Sequence, residues 1–361
     1  MISIVKRIIA KGKRFLIICG LPGGYRQVQH FKSENKHSRK LLIVGPGSVS
    51  VPPKGWGAVE TIISETIPVY QDSGFEVFLV NSKHILDFIK GKQFQPDVIL
   101  LHEDTAIRRL RFLFPNTTIV MITHYGLAAF PELWSSSYKR AFKNFKYADY
   151  VVCLSPAILK TFKRFFPENQ LLFCPNGTCF ENSGHGLHNR GLIYLGKIEP
   201  RKKQFELYKY FKDMNVAVTF VGEIQDERVA SLIKRDSIAA SEFVGAWTRS
   251  SVIQNLPHYS GLLLLSAGEA DALVLYEAQI AGLPIIVSSS AAGSQDLSLP
   301  WIHVHSFDRP AQEILDFLEK MSLAGHEIAS FAQKNYRWEH RIGSLINVLL
   351  SGEGANGKNH N

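Results

Sequence analysis

From residue 41 onward, short runs of consecutive apolar residues alternate with longer stretches in which apolar residues recur at helical spacing. That alternation indicates repeated strand–helix units, whose strands pair in parallel and bury both faces. The apolar runs predict strands over residues 41–44, 75–80, 98–101, 118–122, 150–154 and 171–174. Between them, helical patterns run over 59–70, 133–147 and 156–166. The pattern stops in Asn-Ser-Gly-His-Gly-Leu-His-Asn-Arg-Gly, residues 182–191, and restarts with runs at 192–196, 216–221, 261–265 and 284–287. The expected architecture is therefore α/β, with two doubly wound domains facing across a cleft. Residues 41–185 form the first, 186–335 the second and 336–350 a closing helix, followed by a disordered tail at 351–361. In such folds ligands sit beyond the carboxyl ends of the strands. His185 and His188, in the polar stretch, have no acidic or thiol companions and read as solvated loop.

Composition agrees with a folded chain of this size: 361 residues, 45% hydrophobic, with 16 prolines scattered along it. The formal charge of +9 is not spread evenly. Residues 1–40 hold ten Lys or Arg against one acid, Glu34, so the remainder is neutral. A neutral body argues against a nucleic-acid partner. The arm has two readings: Ile2, Val5, Ile8 and Ile9 recur at helical spacing among Lys6, Arg7 and Lys11, which suits adsorption to an anionic membrane face, and the same residues suit a solvated tail. The apolar run 15–21 is too short to span a bilayer. Cys19, Cys153, Cys174 and Cys179 form no Cys-x-x-Cys pair, and Cys153 sits in an apolar run, which favours reduced thiols and a cytoplasmic setting. Two Asn-x-Thr tripeptides, at Asn116 and Asn176, carry little weight without a secretory signal.

Three segments carry candidate chemistry. In Val-Gly-Pro-Gly-Ser-Val-Ser-Val-Pro-Pro-Lys-Gly-Trp-Gly-Ala-Val-Glu, residues 44–60, a strand ends in a Gly/Pro-rich loop and enters a helix. Gly55 and Gly57 there let backbone approach a ligand. No Gly-Lys-Ser/Thr follows, so it is not a Walker loop. In Leu-Gly-Lys-Ile-Glu-Pro-Arg-Lys-Lys-Gln, residues 195–204, the cations Lys197, Arg201, Lys202 and Lys203 follow a strand end. Cations so placed stabilise charge that develops on a departing diphosphate. In Ser-Ala-Gly-Glu-Ala-Asp-Ala-Leu-Val-Leu-Tyr-Glu-Ala-Gln-Ile-Ala-Gly, residues 266–282, Glu269 precedes a helical pattern and Glu277 lies inside it. A carboxylate accepts two hydroxyl hydrogens at once, so two separated glutamates suit two polyols on either side of a phosphate-binding helix start. Each segment alone reads as an ordinary turn, basic loop or solvated face. Glu277 is the exception, since an acid among Leu273, Val274, Leu275, Tyr276 and Ile280 needs partners.

Taken together, these segments resemble the retaining glycosyltransferases of the GT-B fold, family 4, over residues 41 to about 350. The matching stretches are 52–60, Pro175-Asn176-Gly177, 196–202, the Glu269/Glu277 spacing, and Arg337-Trp338-Glu339 at the start of the closing helix. The resemblance implies two Rossmann-like domains and a nucleotide-sugar donor, UDP- or GDP-linked, with no cofactor. Gly55 and Gly57 would approach the donor, and His124, in Ile-Thr-His-Tyr-Gly, the transferred sugar. It puts Lys197 and Lys202 on the diphosphate, Glu269 on sugar hydroxyls and Glu277 on the ribose diol. Leu273 and Val274 would offer backbone amides to phosphate, and Trp247 would stand near the base, where a packing role is equally open. His102 and Glu103, after another strand, are candidates for contact with the acceptor. His258, His303 and His305 read as structural or surface residues.

The lack of an Asp-x-Asp motif agrees with the metal-independent site of such enzymes. Three positions depart from the family pattern: Lys197 stands where Arg is usual, Ala270-Asp271-Ala272 replaces Gly-Phe-Gly, and Lys203 replaces a glycine. Asp271 would then cap the following helix or help choose the sugar. The expected activity is sugar transfer with retention to an acceptor hydroxyl on a glycan or lipid-linked molecule, in cell-surface glycan or glycolipid synthesis. The altered 270–272 segment keeps a second class open, a non-catalytic nucleotide-sugar binding or scaffold protein.

Overall fold

The computed structural model describes residues 24–35, 37–181, 190–211, 216–229, 231 and 241–351. Residues 1–23 of the arm, the stretch 182–189 with His185 and His188, and the tail from 352 lie outside the described residues. Two sheets organise the rest. The first comprises β1 (Gln27–Phe31), β2 (Arg39–Gly45), β3 (Phe75–Asn81), β4 (Val98–Leu101), β5 (Thr118–Ile122), β6 (Tyr150–Cys153) and β7 (Leu171–Phe173). Their spatial order is β1-β3-β2-β4-β5-β6-β7. The second comprises β8 (Arg190–Leu195), β9 (Val218–Val221), β10 (Glu242–Gly245), β11 (Tyr259–Leu264), β12 (Ile285–Val287) and β13 (Ile302–Val304), in the order β10-β9-β8-β11-β12-β13. All pairs are parallel except β1–β3.

Burial explains why the apolar runs become central strands. Leu41, Leu42, Ile43 and Val44 in β2, and Val98, Ile99, Leu100 and Leu101 in β4, are wholly buried, as a parallel sheet covered by helices on both faces requires. In both sheets the chain order reverses beside the first parallel strand, at β2/β4 and at β8/β11. At such a switch point the loops leave in opposite directions and open a crevice.

Three strands have no counterpart in the sequence pattern. β1 lies within the stretch read as a basic arm, and its residues Gln27 to Phe31 pair antiparallel with β3, so that part of the stretch belongs to the first sheet. β10 is edge-on and half exposed, and β13 has three residues. The helical pattern over 133–147 resolves into a helix Ser136–Phe142 between two single 3₁₀ turns, Pro131–Leu133 and Phe145–Tyr147. Ser135 is extended and accepts from Tyr138 N at 3.2 Å, so the helix begins after it. The pattern over 156–166 shortens to the helix Pro156–Phe162, capped by Ser155.

The chain returns to the first sheet at its end. The closing segment forms two helices, Trp338–Arg341 and Gly343–Ser351, and Trp338, Ile342, Leu345 and Leu349 are buried in the core of the first sheet. Trp338 Nε1 donates to Glu65 Oε2 at 2.7 Å, and Cys179 N donates to the same oxygen at 2.9 Å. Glu65, on the helix Ala58–Asp72, thus ties the connection between the sheets to the returning chain. Gly177 is pressed against that crossing, where a Cβ would stand 3.0 Å from Trp338 Cα. Trp338→Ala is expected to cost about 3–5 kcal/mol, the range for truncating a buried aromatic. Denaturant unfolding measures it; a loss near zero would show that the crossing does not hold the fold.

Candidate functional site

The loops that leave the carboxyl ends of β2, β5, β8, β10 and β11 meet in a cleft of about 510 Å³ between the two sheets. Ten of the residues singled out from the sequence line it, Gly55, Gly57, His124, Lys197, Lys202, Trp247, Glu269, Leu273, Val274 and Glu277, whereas Lys203, His102 and Glu103 do not. Gly57 has φ 139, and a Cβ there would come within 2.8 Å of Val49 Cγ2 and 3.1 Å of Glu60 Oε2, so the loop needs glycine. Gly55 has room for a side chain, its nearest neighbour being Trp247 O at 3.9 Å. Gly222 and Gly196 bring the ends of β9 and β8 together so closely that a Cβ on Gly222 would overlap Gly196 O at 1.9 Å.

Glu269 is held by three donors on one oxygen. Lys202 Nζ at 2.7 Å, Arg201 Nη1 at 3.0 Å and Ser266 Oγ at 2.8 Å all converge on Oε1. Burial pushes its carboxyl up, and Lys202 and then Arg201 more than reverse this, leaving it below its ordinary value. Arg201 also donates to Glu199 at 2.5 Å and to Gly268 O. Lys197 is placed differently: its ammonium sits 3.7 Å from the centre of the Trp56 ring, a cation–π contact across the cleft. Lys203 adopts φ 54, the left-handed region that favours glycine, which accounts for the residue type expected there.

Glu277, on the helix Leu273–Ile280, is buried and pairs with Arg249, which bonds Glu65 of the first sheet's layer at 2.7 Å through its other nitrogen. Burial pushes the Glu277 carboxyl up, and Arg249 offsets this only in part. Asp271 lines the cleft but does not cap that helix. The residue at the N-cap is Ala272, without a side-chain bond. Asp271 accepts instead from Asn176 N at 2.8 Å, Tyr276 Oη at 2.7 Å and Ser294 N at 3.0 Å. Burial raises it to about 6, the Tyr276 hydroxyl and the two backbone amides pulling the other way. Asn176 in turn donates its amide to Asp271 O at 2.7 Å and is buried, closed to any modification in the folded chain.

His124 Nε2 lies 2.9 Å from His102 Nδ1 with the two rings nearly coplanar. Burial lowers both, His124 to about 4, so a neutral imidazole faces the cleft. His102 is thereby behind His124, and Glu103 is engaged by Thr105 at 2.5 Å and Lys83 at 3.4 Å. Trp247 lines the cleft and packs at 6.4 Å from Tyr259, so both readings of this residue keep an anchor. Cys153 is buried and its thiol is raised to about 12 by that burial, an inert core position.

Sequence reasoning missed Arg249 and undervalued Arg201. Arg201 lay in the cation run, but nothing distinguished it from Lys203. Arg249 is a lone cation in a Thr-Arg-Ser-Ser context, and its first-layer partner Glu65 is 184 residues away.

No protein-family model matches the chain, and no curated protein matches it. Solved structures do. The chain is similar to sucrose-phosphate synthase from Thermosynechococcus elongatus at 15% identity, with 87% of this chain and 100% of that one covered and a TM-score of 0.70. It is similar to HepE of Anabaena in complex with UDP-glucose at 16% identity, with 87% and 100% covered and a TM-score of 0.65. It is also similar to AviGT4, a glycosyltransferase involved in avilamycin A biosynthesis, at 15% identity, with 87% and 99% covered and a TM-score of 0.64. At these identities the likeness establishes the fold, two Rossmann-like domains in the GT-B arrangement.

The burial of His124 sets an expected outcome. Its ring should remain neutral well below pH 6 and titrate far under the ordinary histidine value of about 6.5. Ring-carbon NMR with a His124→Gln control for assignment measures this; a midpoint at or above 6.5 would show an open, solvated ring.

Proposed function

We propose that this chain is a retaining glycosyltransferase of the family 4 type, moving a sugar from a nucleotide-sugar donor to an acceptor hydroxyl. One observation carries the reading: residues from position 55 to position 277, chosen for a phosphate, a polyol and a ribose, line a single cleft between two sheet edges. The diphosphate would lie against Lys197, Lys202 and the start of the helix Leu273–Ile280, whose first amides have no intrahelical partner. Sugar hydroxyls would reach Glu269, whose three protein donors crowd one oxygen and leave the other for ligand. The ribose diol would reach Glu277, and the base would lie towards Trp247.

As the bond to the sugar breaks, charge grows on the departing phosphate, and preformed cations there lower the barrier more than they tighten substrate binding. In a retaining reaction on one face, that phosphate also takes the proton from the incoming hydroxyl, so no side-chain nucleophile is needed. Neutral His124 suits a hydrogen bond to a sugar hydroxyl, because it adds no charge to the reacting centre. The proposed reaction needs no metal, the cationic side chains neutralising the diphosphate. The acceptor is proposed to be a glycan or lipid-linked hydroxyl in cell-surface synthesis, and the setting cytoplasmic, at the membrane face through the N-terminal arm. Among the described residues no helix is long and apolar enough to cross a membrane.

The second reading, a nucleotide-sugar binding protein without turnover, draws on Arg249. It occupies the carboxylate proposed for ribose, and ligand binding must displace or share it. A thermal-shift panel of nucleotide diphosphates and nucleotide sugars identifies the donor, since a ligand of the native state raises stability. With that donor, binding without any turnover, neither transfer to mixed acceptors nor donor hydrolysis, would favour the second reading.

Lys202→Ala is expected to lower kcat/KM at least about 100-fold, roughly 2.7 kcal/mol of transition-state stabilisation, and Glu277→Ala to abolish transfer chiefly through donor binding. Both variants should keep a cooperative unfolding transition. Near-normal rates in either with the matching donor would contradict the assignment.

The arm allows a separate test. Residues 1–23 carry five Lys or Arg and no acid, and each cation near an anionic surface contributes about 1 kcal/mol. Deleting them should strongly reduce sedimentation with anionic vesicles and spare transfer to a soluble acceptor. Unchanged vesicle binding would reject the anchor.

A further inference from the structure

At the edge strand of the second sheet, among residues that do not line the proposed donor cleft, three groups converge that transfer chemistry does not use. His303 is the middle residue of β13, His305 follows the end of that strand, and Glu313 lies in the first turn of the helix Gln312–Met321. One ligand atom from each lies within 4.8 Å of the others. From these we infer a binding site for one divalent transition-metal ion of the zinc type, with His303 Nε2, His305 Nδ1 and Glu313 as its protein ligands.

The hydrogen bonds around His305 fix which nitrogen is free. Tyr210 Oη contacts both His305 Nε2, at 2.6 Å, and the carbonyl of Arg309. A carbonyl only accepts, and a phenol has one proton, so Tyr210 donates to Arg309 O. The imidazole must then donate Nε2–H to the phenol oxygen. His305 Nδ1 is left with a bare lone pair, directed at His303 Nε2, 3.3 Å away. Two nitrogens bound to one tetrahedral zinc at about 2.0–2.1 Å stand about 3.3 Å apart, so the observed spacing already suits a shared cation in place of a shared proton. On binding, His303 would change tautomer, its proton moving from Nε2 to Nδ1.

The supports are those a metal site requires. The Tyr210 phenol orients His305 from behind, as second-layer partners of ligating histidines do. The His303 ring is stacked on Phe317 with centroids 5.0 Å apart. Glu313 Oε2 is buried and makes no aligned hydrogen bond, although the Arg309 guanidinium lies against it. Arg309 is therefore the competing cation, and metal binding requires it to give up that oxygen. Two imidazoles and one carboxylate suit zinc or a neighbouring first-row ion better than calcium or magnesium. The fourth position would take water from the adjoining cavity of about 520 Å³, which His305 lines with Ser288, Ser289 and Ser290. The ion would clip β13, the helix Gln312–Met321 and, through Tyr210, the helix Gln204–Phe211.

The test needs no donor and no activity. Full-length protein is stripped with chelator and titrated with zinc alone by calorimetry, and with cobalt as an optical probe. One equivalent is expected, with the visible bands of tetrahedral cobalt. The double variant His303→Gln/His305→Gln should lose at least about 100-fold in affinity, Tyr210→Phe about 10–100-fold, and Arg309→Gln should bind more tightly than the parent. Absence of a stoichiometric event in the parent, or binding unchanged in the double variant, would overturn the site. Circular dichroism checks that each variant is folded; if the double variant is not, Glu313→Gln serves, with an unchanged affinity counting against the proposal.

Discussion

The arrangement depends on buried carboxylates that need cations. Glu269 and Glu277 stand at opposite ends of the segment that enters the helix Leu273–Ile280, and neither can be charged in that setting without a partner. Lys202 and Arg201 serve the first, Arg249 the second. Removing one partner of such a pair leaves an uncompensated buried charge at a cost of about 3–5 kcal/mol, so the cleft is built from mutually dependent groups. A ligand bringing its own anions and hydroxyls must therefore exchange partners with the protein rather than add to them. Under the proposed function, diphosphate would take over Lys202 while a sugar hydroxyl takes over part of Glu269, and the negative charge that the diphosphate brings would be met by Lys202 and Lys197.

The same interactions join the two sheets. Arg249 reaches from the second layer to Glu65 in the first, and Glu65 also holds Trp338 and the backbone of Cys179. The carboxylate of Glu65 is thus shared between the returning chain, the connection between the sheets and the cation that occupies Glu277. If Glu277 receives a ribose diol, Arg249 retains Glu65 as an alternative partner, and the link between the layers survives the exchange. This gives Arg249 a physical reason to be arginine: its planar fork addresses two carboxylates at once, which a lysine ammonium does less well.

The central strands were legible because parallel sheets bury both faces and leave an uninterrupted apolar run; 98–101 and 118–122 are strands at those very residues. The strands that escaped are those without such a run. β1 is Gln-Val-Gln-His-Phe in a basic stretch and becomes a strand only because β3 offers an edge, while β10 shows an alternating half-exposed pattern. In the cleft, cations and acids clustered in sequence were legible and lone residues were not. Glu277 could be singled out because its neighbours are apolar. Arg249 could not, since its meaning comes from carboxylates that only the fold brings near.

Asp271 shows how a departure from a family pattern is absorbed. Read in sequence, a carboxylate beside a phosphate-binding turn is repulsive, and that consideration kept a non-catalytic reading open. In the fold the carboxylate is satisfied by Tyr276, Ser294 and the amide of Asn176, with Arg341 close by. A Cβ on Gly293 would stand 2.4 Å from Asp271 Oδ1, so the neighbouring chain is fitted around the carboxylate. Its bond to Asn176 connects the turn before the helix to the segment that precedes the second sheet. The loss of two flexible glycines and the gain of one acid are thus one change: a turn that would otherwise depend on glycine for its path is fixed by hydrogen bonds. The charge that looked misplaced is used to hold the helix start still, as the proposed binding of an anion at its free amides requires.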